Sequence, residues 1–337
     1  MIRLGELTFD QNEVLNCVNF MKNSDVIFSG VLSEEDFKKF NFKIPKLISK
    51  QNNLITFINL EVKIKENDII YCHLDYLEIL FRLLKSLQFK NLIIISTQSD
   101  RRVNKKLYDK KPDCVYKWYT INSDIKASDI ASIPLGIASY RNTKSVIFKD
   151  FLFLDSSTKI KDSIYSNFNL NTNYFHRIKA KKAMKKMFNQ KVKENIDYVT
   201  YLNNLSSSSY CLAPWGNGYD THRFWESLYC GTIPITKTNT HYESFSDLPV
   251  ILLNDYEEVT DIKEENNFFE KNLQKLNINW WIKQMRSNLT SESSEILISF
   301  KKLDLYYLLI YNLKKSVLDR LKKIFLTFLR KIHNKIQ

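Results

Sequence analysis

Gly216, Asn217, Gly218, Thr221, His222, Arg223 and Glu226 fall within one stretch, Tyr210 to Ile235, which reads YCLAPWGNGYDTHRFWESLYCGTIPI. Their types and spacing describe an anion site. Glycines let the backbone approach a phosphate closely, and the first N–H groups of a helix carry partial positive charge that stabilises it. With His222 at zero on a helical wheel, Glu226 falls at about 40° and Arg223 at about 100°, while Phe224, Leu228, Trp225 and Tyr229 fill the arc from about 200° to 340°. One side is apolar and the other carries a guanidinium, a carboxylate and an imidazole. An ordinary surface ion pair is the plainer reading of Arg223 and Glu226 at i and i+3. The glycines and the apolar run before them favour the anion site.

Positioning these groups requires a strand at Tyr210 to Ala213, a glycine loop, a capped helix starting near Asp220 or Thr221, and a strand at Thr232 to Thr236. Around this unit the pattern predicts strands at Ser163 to Phe168 and Pro249 to Leu253, and helices near Tyr174 to Phe188 and Tyr198 to Leu205. The first half shows the same alternation, with strands at Ser24 to Phe28, Asp68 to Cys72, Asn91 to Ser96 and Ala131 to Ala138, and a helix at Leu74 to Leu87. Strands alternating with helices imply an α/β protein with parallel sheets covered by helices on both faces.

In such sheets the ligand crevice lies beyond the strand carboxyl ends. Three polar clusters of the first half follow strands and are expected to converge there: His73 with Asp75, then Gln98 with Ser99 and Asp100, then Ser139 with Tyr140 and Arg141. Asn167, Thr172 and Arg177 stand in the same relation to the strand at Ser163 to Phe168, and Lys237 to the strand that ends near it. The expected division is 1–148, 149–290 and a basic helical segment at 291–337. Trp280 and Trp281 are expected at a junction.

With 337 residues, 44% of them hydrophobic, the chain can bury a large core, and six glycines and six prolines exclude long disordered linkers. Five dispersed cysteines, Cys17, Cys72, Cys114, Cys211 and Cys230, suit buried thiols in a reducing compartment. MIRLGELTFD lacks the features of a secretion signal, and no run approaches the roughly 18 apolar residues that span a bilayer. A cytoplasmic protein is expected. The formal charge of +13 favours acidic partners. The segment 314–337 puts Val317, Leu318, Leu321, Ile324, Phe325, Phe328, Ile332 and Ile336 on one side and Lys315, Lys322, Lys323, Arg330, Lys331 and Lys335 on the other. Such a helix either packs on the protein or lies peripherally on the anionic inner face of a membrane.

Tyr210 to Ile235 resembles the nucleotide-sugar-binding segment of exostosin-like glycosyltransferases and their bacterial relatives, in which a strand leads through a glycine loop into an Arg/Glu helix and a G-x-I-P turn. SIYSNFNLNTNYFHR, Ser163 to Arg177, is similar to the opening strand and loop of that domain. Together these cover about the middle third of the chain. The N-terminal half is similar in layout and in the loop ISTQSD.

The resemblance implies a GT-B fold, two Rossmann-like domains facing a cleft, and metal-independent transfer of a sugar from a nucleotide donor, with UDP expected, to a glycan or lipid-linked acceptor in polysaccharide biosynthesis. No cofactor is implied, and no isolated D-x-D motif points to a metal. Departure of the diphosphate builds negative charge that a preorganised positive site stabilises. Gly216, Asn217, Gly218, Thr221, His222 and Arg223 would serve that role, the resemblance gives Glu226 the ribose hydroxyls, and Asn167, Thr172 and Arg177 would touch phosphate or base. Inversion needs a general base on the N-terminal side, with Asp100 the first candidate and Asp75 and His73 next. A nucleic-acid-binding protein is the reading from another class, but the aromatics lie inside apolar runs and no nucleic-acid partner is expected. An inactive carbohydrate-binding relative keeps the same fold.

Overall fold

The computed structural model describes residues 1–141, 145–154, 159–189, 192, 196–261, 271–287 and 295–336. Two parallel sheets organise it. The first contains β1 (Val26–Ile27), β2 (Ile69–His73), β3 (Leu92–Thr97), β4 (Val115–Thr120) and β5 (Ile130–Ser132), hydrogen-bonded in the order 5-4-3-2-1. The second contains β6 (Ile160–Tyr165), β7 (Ser208–Leu212), β8 (Ile233–Lys237) and β9 (Ile251–Leu253) in sequential order. The expected α/β class with parallel sheets is present.

β3 is buried along its whole length, as its LIIIST sequence requires of a central parallel strand. The register aligns Cys72, Ser96, Thr120 and Ser132 in one row across the first sheet. Ser96 and Thr120 satisfy each other there at 2.8 Å, and the Trp118 indole donates to Ser96 Oγ at 2.8 Å. Buried hydroxyls are tolerated where they are hydrogen-bonded, as Ser96 and Thr120 are here.

The helices used below are α1 (Leu77–Leu84), α2 (Tyr174–Phe188), α3 (Tyr198–Ser206), α4 (His222–Tyr229) and α5 (Lys302–Ile336). In α4 the residues Phe224, Trp225, Leu228 and Tyr229 are buried, as the wheel predicts, and each such side chain contributes about 1.5–3 kcal/mol of burial. Tyr229 then joins the halves: its hydroxyl accepts from the Leu15 N–H at 2.8 Å and donates to the Leu276 carbonyl at 2.6 Å. Trp281 is buried beside this junction, where Ile278 N–H donates to the Glu13 carbonyl at 2.8 Å.

Several elements differ from the sequence expectation. Residues 29–67 hold an antiparallel sheet of Ser29–Ser33, Leu54–Asn59 and Pro45–Gln51. The basic C-terminal third is not wholly helical, because Ile296–Ser299 pairs antiparallel with Glu61–Ile64 of the first half. β4, VYKWYT, was not expected from sequence, because Lys117 interrupts the apolar residues of a strand that pairs on both sides. β5 ends at Ser132 and does not reach Ala138. Pro134 cannot donate to a ladder, and Gly136 turns the chain at φ +71°. The segment expected as one helix at Leu74 to Leu87 begins with a 3-10 turn at Leu74–Tyr76.

Gly136 is sterically obligatory, since a Cβ there would stand 2.0 Å from the Leu15 carbonyl oxygen. Gly136→Ala is expected to destabilise the fold by about 3 kcal/mol or more, from left-handed backbone strain plus overpacking. The urea midpoint measures this, and an unchanged midpoint would contradict the close approach.

Candidate functional site

The loops at the carboxyl ends of the two sheets touch. Asn217 Nδ2, after β7, donates to Asp100 Oδ2, after β3, at 3.0 Å. Asn122, after β4, sits in left-handed backbone at φ 55° and accepts the Asp220 N–H at 2.8 Å, while its amide donates to the Ser99 carbonyl at 3.1 Å. His222 Nδ1 lies 2.7 Å from the Gly136 carbonyl oxygen. Gly218 has no side chain because Asn122 occupies that space, 2.6 Å from where a Cβ would stand.

Asp220 fixes this geometry. Its buried carboxylate accepts from the Leu135 N–H at 2.8 Å and the Trp225 indole at 2.8 Å, while the Tyr242 hydroxyl, 3.4 Å away, donates to the Tyr219 carbonyl at 2.9 Å. His241 Nε2 lies 3.0 Å from the same carboxylate, off the line of a hydrogen bond. Two bonds to one buried carboxylate hold the turn that leads into α4, one donor coming from each half. Thr221 stands at the N-cap position in extended backbone, yet its side chain makes no cap hydrogen bond, contrary to the capped start expected from sequence.

Around Gly216 the candidate groups gather. A Cβ there would meet Thr221 Cγ2 at 3.5 Å, Arg177 Nη2 at 3.6 Å and Thr172 Cγ2 at 3.6 Å. Arg177, from α2, is buried and ties the loops together, donating to the carbonyls of Trp215 at 2.9 Å, Asn169 at 2.8 Å and Pro214 at 3.5 Å. Arg223 is half-buried, its Nε has no hydrogen-bond partner, and its guanidinium lies over the Tyr201 ring at 5.7 Å. Among the described residues neither arginine has a carboxylate ion pair.

Burial first, and then the Arg223 charge, press the Arg177 guanidinium down to about 9. A guanidinium keeps its proton at neutral pH, so two like charges face one region. Burial also opposes the charge on Arg223, but Tyr201, Cys211 and Glu226 outweigh it and the group is raised above its ordinary range. Glu226 is buried, accepts the Tyr201 hydroxyl at 2.7 Å, and has its carboxyl raised by burial, with His222 and Arg223 acting against the rise. Ser166 Oγ and Thr236 Oγ1, at the carboxyl ends of β6 and β8, are also buried without a partner. Buried unsatisfied polar groups at one end of a sheet mark where an absent partner would complete the structure.

An aromatic wall borders this region. His176 stacks on Trp215 at 4.3 Å, Tyr219 meets Trp215 at 4.8 Å, and Arg102 of the first half lies over the Tyr219 ring at 4.2 Å. His176, Trp215, Tyr219, Arg102, Asn122 and Tyr201 were not singled out from the sequence, and Asp220 only as a possible helix start. Asn122 carried a signal in the turn-forming run Asn-Ser-Asp, whereas the aromatics carried none, being spread over separate elements.

The remaining candidates are placed as follows. Asn167 is buried in the loop after β6. Lys237 pairs with Asp255 at 3.6 Å and its carbonyl accepts the Trp215 indole. Asp100 is exposed at the contact with Asn217. Asp75 accepts the Ser99 hydroxyl and pairs with Lys315 of α5, and His73 lies 4.0 Å away. Burial would raise the Asp75 carboxyl, but His73, Lys315 and Ser99 hold it below its ordinary range. The clusters at 73–75 and 98–100 therefore adjoin. The third does not join them: Tyr140 donates to Asp36 at 2.9 Å and Arg141 pairs with Asp150, since the early end of β5 brings Leu135 and Gly136 to the crevice instead.

Cavities of about 880 Å³, beside α1 and α5, and about 730 Å³, along the lysines of α2, lie outside this constellation. The site is placed by its charges and unpaired donors.

No family model matches the chain, and no curated protein matches it. Among solved structures, AviGT4, described as a glycosyltransferase involved in avilamycin A biosynthesis, is similar over 54% of this chain and 66% of its own, at 11% identity and a TM-score of 0.25. A likeness at that level carries no argument about function.

Burial, and then the charges of Lys237, Arg177, Lys179 and Arg102, lower the His176 imidazole to about 4 from its usual 6.5. The unfolded chain takes up this proton below 6.5 while the folded chain refuses it, so stability is full above 6.5 and is lost as pH falls toward 4. Buried His73 acts in the same sense and Glu226 in the opposite one. His176→Gln is expected to remove part of the acid slope, at most about 1.4 kcal/mol per pH unit. Urea denaturation of both proteins across that window checks it, and parallel curves would contradict it.

Proposed function

We propose that this protein is a glycosyltransferase of GT-B type and exostosin-like character that transfers a sugar from a nucleotide diphosphate donor, UDP-linked, to a glycan or lipid-linked acceptor. The observation that carries the reading is the pair Arg177 and Arg223. Two guanidiniums without ion pairs lie in each other's field beside a glycine loop and a helix start, and one of them keeps a buried N–H unpaired. A diphosphate placed there relieves the repulsion and accepts the unpaired donors, and it does so most strongly as the sugar bond breaks and charge accumulates on the leaving group.

In this reading Gly216, Asn217, Gly218 and Thr221 give backbone N–H groups to the diphosphate, and His222 and Arg223 supply charge. Arg177 is chiefly a positioning residue, because its donors hold the loop carbonyls. Asn167 and Thr172 line the same side. Glu226 takes the ribose hydroxyls, with Tyr201 holding one of its oxygens. The aromatic wall of Trp215 and His176 excludes water from the charges, and low local dielectric strengthens them.

Asp100 is the proposed general base. It stands where the first half meets Asn217, on the face opposite the donor loop, and a base on that side can take the acceptor proton while the diphosphate leaves toward α4. Asp75 is the weaker choice, since a carboxylate held ionised by Lys315 has little tendency to take up a proton.

Calorimetry with UDP and with inorganic pyrophosphate tests the binding roles. Arg223→Ala should weaken both ligands about 100-fold, the loss of charge-assisted bonds to a phosphate, without lowering the melting temperature. Glu226→Ala should weaken UDP and spare pyrophosphate. Unchanged affinity of both ligands for Arg223→Ala would remove the assignment. Asp100→Asn is expected to retain UDP affinity and to lower turnover by about 100-fold or more, measured as UDP release with acceptor present. Full turnover in that variant would exclude Asp100 as the base.

A further inference from the structure

α5 is seated with its polar side on the protein and its apolar side outward. Asp304 accepts from the Arg82 guanidinium, Lys315 pairs with Asp75, Asn312 accepts the Tyr76 hydroxyl at 3.5 Å, and the Tyr311 ring meets Tyr76 at 6.0 Å. Leu308 is the one fully buried apolar side chain of α5 among the described residues. These contacts span an arc of about 100° of the helix. On the opposite side, within about 120°, lie Tyr306, Leu313, Val317, Leu321, Ile324 and Phe325, each between 53% and 68% exposed. An ordinary surface helix is oriented the other way round, apolar stripe inward.

The charges around the stripe are of one sign. Lys302, Lys314 and Arg320 are exposed within or beside it. Where the stripe meets α1, Tyr307, Ile310 and Tyr311 line the 880 Å³ cavity, whose walls carry six cations, Arg82, Lys85, Lys90, Lys110, Lys111 and Lys314, against three acids, Glu78, Asp109 and Asp113. A second copy of the helix would bring these like charges together across an apolar seam, which works against a homodimer. A surface with an apolar interior and anionic phosphates at its boundary complements both features. Among the described residues no helix is long and apolar enough to cross a membrane, so the fit is to the surface plane.

We propose that α5 is a membrane-docking element that lies in the interfacial plane of an anionic phospholipid bilayer, its apolar stripe in the acyl boundary and Lys302, Lys314 and Arg320 at the lipid phosphates. The site extends the apolar face read from the sequence at 314–337 back to Tyr306, and that face is turned away from Asp75 and Arg82. It does not rest on the transferase reading.

Cosedimentation of the full chain with vesicles tests it. The protein is expected to sediment with phosphatidylcholine vesicles that contain phosphatidylglycerol and to stay in solution with phosphatidylcholine alone. The double variant Leu313→Glu/Leu321→Glu, at two exposed positions, should lower the bound fraction about tenfold or more at unchanged melting temperature, and Lys314→Glu/Arg320→Glu should abolish the dependence on phosphatidylglycerol. Wild-type protein left in solution with anionic vesicles, or equal sedimentation of the Leu313→Glu/Leu321→Glu variant, would overturn the proposal. So would light scattering that shows a dimer dissociated by that variant with no vesicle binding, which would give the stripe to a second copy.

Discussion

The Asp220 carboxylate is the constraint on which the candidate site depends. It is one buried anion shared by the Leu135 N–H of the first half and the Trp225 indole of the second. A carboxylate removed from water is stable only when its lone pairs are filled, so these donors cannot move apart without a cost of several kcal/mol. The turn from Gly218 into α4 is therefore set relative to β4 and β5, and the backbone N–H groups ahead of Arg223 acquire a fixed direction. Asn122 repeats the same link a few residues earlier, in the space that the missing Gly218 side chain leaves. The contact between the halves and the geometry of the candidate site are one structure.

Against this rigid frame the charge distribution is unbalanced. Arg177 spends its donors on loop carbonyls and cannot be removed without loosening them, yet its charge stays. Arg223 faces the same region with a buried donor unfilled, and Glu226, the nearest carboxylate to it along α4, is raised toward its neutral form by burial. The result is a local excess of positive charge in a place of low dielectric, which repels cations and is relieved by an anion of more than one charge. His176 is lowered first by its burial and then by Lys237, Arg177, Lys179 and Arg102. The transferase reading follows from what such a field does to a departing diphosphate.

Much of this was legible in the sequence where a single pattern governed the outcome. α2 falls where its spacing placed it, β3 where its continuous apolar run placed it, and the inner face of α4 follows its wheel. What was not legible depended on distant partners. The strand Ile296–Ser299 looks like part of a basic helical tail because its partner, Glu61–Ile64, is more than 200 residues away. The sequence places the capped start near Asp220 or Thr221; the Thr221 side chain makes no cap bond, and Asp220 with Asn122 holds the helix start by tertiary bonds. The wheel puts Glu226 on the polar side of α4, but gives no sign that Tyr201 from another helix would hold one of its oxygens. The amphipathic tail was legible as a pattern, but not which side the protein would take: part-buried ion pairs with Arg82 and Asp75 claimed the polar side.

The central claim is that the turn from Gly216 to Arg223 cradles a diphosphate. Crystals grown with UDP test it most directly. The account predicts both phosphates within roughly 3 Å of the Arg223 guanidinium and of backbone N–H groups in that turn. UDP density among the α2 lysines or in the cavity beside α5, with Arg223 still unpaired, would contradict it.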